Sequence, residues 1–508
     1  MEVTGGTGAA EGPRASLRDW TALAVIAVPC LVYAMDLTVL NLAVPHLALD
    51  LAPSPAQLLW IVDIYGFMVA GTLMLMGTLG DRIGRRRLLM AGAAAFGAAS
   101  LLAAFARSAE ELIAARALLG IAGATLAPST LSMVRNIFLD ERERSFAIGV
   151  WIACFSSGAA LGPLVGGVIL TYFWWGAVFL AAVPVMIALL LVAPLLLPEF
   201  RNPNAGRLDI LSAVQSILAS LAVIYGMKRT AESGPDLVAA LAIVLGLAVG
   251  ALFIARQKRL EDPMIDLGLF RHPGIGAALM LNVTAMLGAM GIFIFISQYL
   301  QLVLGMSAKE AGLWTAPSGV CFALGSLATP WLVRRYRIVD VLSLTLLPAA
   351  LGFLLLMWVT PQSSMAVMTS AIVLISLGLA PVGMLSTDLV MRVAPLERAG
   401  AASGISEASF EFGGALGIAV LGSLVTATYR VAMNGADLSG LPPAAAEHGR
   451  RSLDGAVSAA AALPPEAAAR LMEAAEAAFS LAFGRAALAC VGATLVGLAI
   501  VRWRLNRL

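Results

Sequence analysis

Apolar stretches, each about as long as a bilayer is thick, recur from Trp20 to Trp503, with short polar or charged segments between them. A helix needs ~20 mainly apolar residues to cross the hydrocarbon core. On that measure the pattern predicts helices at roughly 20–44, 57–79, 86–105, 110–134, 145–169, 175–197, 208–227, 237–256, 274–303, 312–333, 341–360, 365–391, 401–429 and 483–503, about fourteen in all. One segment interrupts the rhythm: 430–482 is Ala-rich with scattered charge. Within it Pro442-Pro443 and Pro464-Pro465 each precede a helix-forming stretch, with Glu447 and Glu466 soon after. Proline at a helix start followed by an early acid marks an N-terminus. The segment therefore predicts a helical hairpin outside the membrane whose second arm runs into the last span. A mobile Ala-rich linker is the alternative.

Composition fits this pattern. The 508 residues are 60% hydrophobic and 13% charged, with a mean hydropathy of +0.90. A soluble domain is nearer half apolar and a quarter charged, so a soluble enzyme, a nucleic-acid binder and a secreted disulfide scaffold are excluded. Cys30, Cys154, Cys321 and Cys490 stand singly in apolar runs, which reads as buried, inert thiols. Residues 1–19 resemble a signal-peptide start, but the run that follows is long and many others come after it. It is expected to stay as the first span.

The net charge of +2 matters less than where the arginines fall. Arg82, Arg85, Arg86 and Arg87 follow the second span; Arg334, Arg335 and Arg337 form a later cluster, and Arg502, Arg504 and Arg507 a third. An even number of spans with both termini in the cytoplasm puts all three clusters inside. At the centre, Leu208–Met227 and Leu237–Arg256 are separated by the polar KRTAESGPD, and both are long enough to cross. The expected organisation is a tail over 1–19, six helices over 20–197, an inserted pair over 208–256, six more over 274–503 (including the 430–482 hairpin) and a tail over 504–508. Two equal halves around an insertion suggest the repeat architecture of secondary transporters.

The loop from Gly77 to Arg87 fits GxLxDRxGRR, with Gly77, Leu79, Asp81, Arg82, Gly84, Arg85 and Arg86 in the marked places. Its glycines allow a tight turn and close helix approach. Asp81 can cap a helix start or pair with an arginine across an interface, making a latch. Gly158, Gly162 and Gly166, with Gly167 beside them, give a smooth helix face, and Pro163 removes a backbone donor and bends the helix. The glycine loop resembles the signature of the major facilitator superfamily. The stretch Leu112 to Ala124, with Arg116, resembles the family's span-four motif, and Gly158 to Gly167 its span-five antiporter motif. Met35-Asp36-Leu-Thr38-Val39-Leu-Asn41-Leu-Ala43-Val-Pro45 resembles the first-span motif of the drug:proton antiporters with about fourteen spans. Segments around Asp63 and Glu407 to Gly413 look like the branch that exports quaternary ammonium compounds and other lipophilic cations. The resemblance implies an all-α membrane protein of the bacterial cytoplasmic membrane, two six-helix bundles plus two inserted helices. It also implies that the span-five glycines serve as a hinge or seal between the halves; a monomer working by alternating access is expected.

An ionisable side chain at membrane depth costs at least ~2.5–3.5 kcal/mol, so each one asks for a reason. Five stand out: Asp36, Asp63, Arg116, Glu407 and Glu411. The three histidines, His46, His272 and His448, fall in or beside loops, so proton carriage is left to carboxylates. Glu407 and Glu411 stack on one helix face, where like charges favour one protonated and one ionised group. Such a pair can release a proton when a cation arrives. Asp36 is the leading coupling candidate with Arg116 as its switch, and a fixed salt bridge is the plainer reading. Asp63 guards the vestibule or meets the cation. Asp388 with Arg392 reads as a solvated pair near the cytoplasmic end. Candidate pocket aromatics are Trp151, Phe155, Phe295, Trp314 and Phe410, since a cation over a ring gains ~0.5–2 kcal/mol. Trp174 and Trp175 look like an interfacial belt.

The expected function is therefore proton-coupled export of lipophilic cations (quaternary ammonium compounds, dyes, biguanides), with protons, these small molecules and the bilayer as partners. A narrow metabolite or antibiotic exporter is the alternative. Lys228, Lys258 and Lys309 are the only lysines and none follows glycine, so no ATP-binding GxxxxGK[ST] loop exists. No metal motif, cofactor or nucleic-acid partner is called for; a proton gradient supplies the energy.

Overall fold

The computed structural model describes residues 14–53, 55–202, 209–234, 236–261, 263, 265, 267–268, 272–360, 363 and 365–504. Among them every regular element is helical. Thirteen helices are long and apolar enough to cross a membrane, and a fourteenth is gained if α5 (Glu141–Tyr172), which turns by 42° between Ala159 and Leu164, counts as one span. That turn holds Pro163.

The first half comprises α1 (Leu17–Leu51), α2 (Pro55–Ile83), α3 (Arg85–Ala104), α4 (Ala109–Ile137), α5, the short α6 (Ala177–Leu180) and α7 (Ala182–Leu196). Side-chain caps set several starts. Ser16 and Asp19 form a reciprocal capping box on α1, and Asp140 accepts from the Arg142 and Glu143 N–H groups of α5. Within this half α1 packs on α5 and α7, and α4 on α2 and α3. The second half comprises α10 (Pro273–Gln298), α11 (Ala308–Thr315), α12 (Pro317–Leu332), α13 (Ile338–Leu356), α14 (Met365–Val393), α15 (Ala399–Asn434) and α18 (Pro465–Arg504). The span expected over 312–333 is broken into α11 and α12 because Pro317 cannot donate to the turn before it. One π-helical turn, Tyr299–Val303, ends α10, with Tyr299 stacked on Phe479 and Phe483 of α18. Between α15 and α18 lie α16 (Pro443–Arg451) and α17 (Leu453–Ala460), held by the Tyr429 hydroxyl donating to Gly449 O at 2.8 Å.

The inserted pair, α8 (Ile210–Ser233) and α9 (Leu237–Gln257), pack on each other, and α8 also lies against α2 and α15, touching both halves. Phe67 and Ala70, Ile224 and Met227, and Ala415 and Ala419 form one apolar cluster where the three helices meet. Leu241, Val244, Leu245, Leu247 and Leu252 of α9 are exposed, the apolar outer face that lipid would cover. The halves meet along α2 with α15, α5 with α12, α4 with α15 and α5 with α14. Asp81 and Asp388 make hydrogen bonds across those seams.

Candidate inter-bundle carboxylate site

Asp36 and Arg116 are brought together. Their side chains are 4% and 2% exposed, and Arg116 Nη1 donates to Asp36 Oδ2 at 3.0 Å. Arg116 also donates from Nε to Ile61 O at 3.2 Å and from Nη2 toward Val62 O at 3.4 Å, and its guanidinium lies 4.7 Å over the Tyr65 ring. The cation is thus satisfied from α1, α2 and an aromatic face, which lowers the cost of burying it. Asp63 is half-buried on the α2 turn beside the carbonyls Arg116 touches.

From Tyr65 an aromatic wall continues across the first half. Tyr33 lies 6.3 Å from Tyr65 and 5.7 Å from Phe155, and Phe155 stacks on Trp151 at 6.0 Å. Trp151 Nε1 donates to Thr130 Oγ1 at 2.9 Å, and the same hydroxyl contacts Cys30 Sγ at 3.1 Å. Trp151 and Phe155 are therefore neighbours, as a pocket wall would need, while neither Tyr33 nor Tyr65 was among the expected pocket aromatics. Tyr33 stands three residues before Asp36, on the same helix face, and that spacing was the available signal. Phe410 lies elsewhere: its ring sits at Gly383 of α14, close to Phe322 of α12. Trp314 is 40% exposed on α11, and Phe295 is buried in α10.

Glu407, on α15, comes within electrostatic reach of the Tyr33 end of this wall. It is 7% exposed, and Oε1 has no hydrogen-bond partner. Its charge is felt at Cys30 and Tyr33 of α1, and that of Glu411 at Tyr33 and Tyr65. Glu411, one turn along, is half-buried. A buried carboxylate oxygen without a partner is costly in its charged form and is commonly neutralised by a proton. The contrast with Asp36 is chemical: one acid has a fixed counter-charge, the other shares its surroundings with rings and a second acid.

At the arginine-rich end the seam is shut. Asp81, at the end of α2, accepts from the Gly400 and Ala401 N–H groups at 2.9 Å each, capping the start of α15 from the opposite half. Its arginine, Arg85, comes from the same half: Nη2 donates to Asp81 Oδ1 at 2.7 Å and to Leu396 O at 2.8 Å, and Nη1 reaches Ser132 O at 3.3 Å. A Cβ on Gly77 would lie 2.3 Å from Gly400 O, and one on Gly400 2.4 Å from Gly77 O, so the backbones touch only because both are glycine. Gly84 holds φ of 114° in the turn to α3, whose first N–H groups at Arg86 and Arg87 donate to Glu199 at 3.0 and 3.2 Å. Arg86 Nη1 donates to Leu197 O at 2.9 Å, and Arg82 is half-buried. Glu199 was invisible in sequence because it comes from the far end of the half.

Gly158 and Gly162 pack on α1 of their own half, against Leu31 O and against Met35 O and Thr38, while Gly166 and Gly167 lie on the segment beyond the bend. Asp388 corrects an expectation. It is 1% exposed, not solvated, because α5 covers it: Ser145 Oγ donates to Asp388 Oδ2 at 3.0 Å. His46 lies near the end of α1, an exposed position, and His272 caps α10. Among the described residues no group of His, Cys, Asp or Glu is placed to hold a metal.

Two helical halves that meet around buried carboxylates, with one end of the seam latched, define a multi-pass membrane transporter. The family model described as Major Facilitator Superfamily matches residues 30–418, and the chain belongs to that superfamily. It is similar to the multidrug efflux pump LfrA of Mycolicibacterium smegmatis, 43% identical over 95% of each chain. The methyl viologen resistance protein SmvA of Salmonella typhimurium is 35% identical over 96% of this chain and 98% of its own. The puromycin resistance protein pur8 of Streptomyces alboniger is 33% identical over 82% and 84%. The crystal structure of the human organic anion transporter MFSD10 (TETRAN) shares the fold, with a TM-score of 0.60 at 17% identity over 95% of this chain and 99% of that one. The protein is a multi-pass transporter of the cell membrane and not an enzyme.

Proposed function

We propose that the protein exports drugs, chiefly lipophilic cations, in exchange for protons by alternating access, with its arginine-rich end in the cytoplasm. One observation carries the reading: Glu407 is buried, has an unpartnered oxygen, and lies within electrostatic reach of Tyr33, at one end of the Tyr33–Phe155–Trp151 row. A lipophilic cation placed there meets a carboxylate and ring faces, both of which attract positive charge. Cation and proton compete for the same carboxylate, so binding one expels the other. The gradient is sufficient: ~2.3 kcal/mol per charge per 100 mV, and ~1.4 kcal/mol per pH unit.

The names of LfrA and SmvA, a multidrug pump and a methyl viologen resistance protein, support a broad cation exporter. Asp36–Arg116 then serves as the coupling switch behind the wall, Asp63 and Glu411 line the approach, and the glycine latch closes the cytoplasmic side while cargo leaves. The test is uptake of a fluorescent cation by inverted proteoliposomes with an imposed pH gradient. Parent protein accumulates the dye, and collapsing the gradient ends accumulation. Accumulation indifferent to the gradient, or retained by Glu407→Gln, refutes the reading.

A further inference from the structure

We propose that Asp388 is a second proton-binding site, reached from Glu407 through buried hydroxyls, and that its protonation releases the latch between α5 and α14. The idea rests on the exchange reading for Glu407 and adds the proton's next station. Asp388 Oδ2 accepts from Ser145 Oγ at 3.0 Å and from Arg392 Nε at 2.7 Å, while Oδ1 has no partner. Arg392 Nη2 donates to the same Ser145 hydroxyl at 3.0 Å, and Nη1 pairs with Glu141 of α5. Arg135 of α4 donates to Met391 O at 2.6 Å. Arg144 of α5 is buried with Nε unpaired, and the charges of Arg135 and Arg144 are felt at Asp388.

Asp388 is the anion at the centre of this junction. Neutralising it leaves Arg392, Arg135 and Arg144 near one another at the seam, with Glu141 paired to Arg392 and Arg85 paired to Asp81. Like charges at short range in a buried site repel strongly, so the two halves lose their hold.

Buried hydroxyls lie on the helices that carry the two acids and on their neighbours. Ser403 and Glu407 on α15, Ser386, Thr387 and Asp388 on α14, Ser326 on α12 and Ser129 on α4 all bear buried side-chain oxygens without a protein partner. Buried polar groups of this kind are ordinarily satisfied by ordered water. Hydroxyls and water both donate and accept, and can pass a proton along. Gly383 lies against the Phe410 ring, and counting both antiparallel helices from there toward their shared turn sets Ser386 level with Glu407. Asp388 then lies about 3 Å nearer the cytoplasmic end. In the transfer the O–H bond of protonated Glu407 breaks, the proton moves through the hydroxyl and water chain, and an O–H bond forms at Asp388 Oδ1. Glu407 is left anionic for the next cation as the cytoplasmic side opens.

The test reads the width of the cytoplasmic seam. Nitroxides are placed at Leu139, in the α4–α5 loop, and Arg334, after α12, both exposed, in full-length protein in nanodiscs with Cys154 and Cys321 changed to serine. In the parent the long-distance population rises at least tenfold as pH falls. Asp388→Asn holds it high at every pH, Asp388→Glu restores a pH response, and Ser145→Ala moves the midpoint while keeping the slope. An Asp388→Asn protein that follows the parent's pH curve, or stays closed throughout, overturns the proposal. Should Glu407→Gln still exchange cation for proton, the exchange reading itself falls. Should Glu407→Gln be inert while Asp388→Asn keeps the parent's curve, that reading stands and only the second site falls.

Discussion

Asp36 and Glu407 are both acids buried at membrane depth, yet they are opposite in kind. Asp36 has Arg116 at 3.0 Å, within one half of the molecule. Glu407 faces the other half with an oxygen that nothing pairs. A buried ion pair is at rest until the protein changes shape, because separating it leaves two unpaired charges. An unpaired buried acid is poised instead, since a proton or a cation settles it equally. The difference teaches that depth in the membrane does not assign a role; the partner does.

The largest expected effect is on the unpaired acid. Glu407→Gln is expected to reduce gradient-driven dye accumulation to that of empty vesicles while the protein folds normally, as its circular dichroism and gel-filtration profile would show. The paired acid should behave the other way. Asp36→Asn leaves Arg116 buried without its counter-ion and should cost about 3–5 kcal/mol of stability. Most of that should return in Asp36→Leu/Arg116→Met, measured by denaturant unfolding in detergent. Failure of the double variant to recover stability would break the contrast.

A third outcome concerns the latch. Gly77→Ala places a methyl where Gly400 O lies 2.3 Å away, whereas a Cβ at Gly66 meets nothing within 4 Å. Gly77→Ala should therefore widen the arginine-rich end in distance measurements and slow efflux, with Gly66→Ala as the silent control. Tyr33 feels the charges of Glu407 and Glu411. Tyr33→Leu should weaken cation binding by about 0.5–2 kcal/mol without changing binding of a neutral dye, seen by fluorescence titration.

The smallest effect comes from a paired acid outside the membrane spans. Arg256, hydrogen-bonded to Asp209 just before α8, holds the Asp209 carboxyl down to about 2. That pairing contributes stability above the ordinary carboxylate range near 4, and the contribution fades as pH falls through about 2. Both side chains are partly exposed, at 21% for Asp209 and 37% for Arg256, so solvent screens the pair and the effect is small. Asp209→Asn should lower the unfolding temperature slightly at pH 7, and the gap should close toward pH 2.

Much of this was legible in the sequence. Hydrophobic length located the spans, and the charge exceptions Asp36, Arg116 and Glu407 announced themselves because charge in an apolar run is expensive. What the sequence hid was pairing over long separation. Asp81 holds Gly400 across 319 positions, and Ser145 covers Asp388 across 243; no local pattern encodes either. Asp388 looked like half of a surface i,i+4 pair because Arg392 sits where such pairs do, and only the packing of α5 on α14 buries it. Tyr33 escaped for a related reason: an aromatic in an apolar run has no distinguishing cost, so its place within electrostatic reach of Glu407 becomes visible only when the halves are assembled.

The central claim is that cation and proton share Glu407. The most direct measurement is proton release from purified, lightly buffered protein in detergent on adding tetraphenylphosphonium, followed with a pH dye. The parent should release protons in proportion to the cation bound, and Glu407→Gln should release none. Equal release from both proteins would contradict the account.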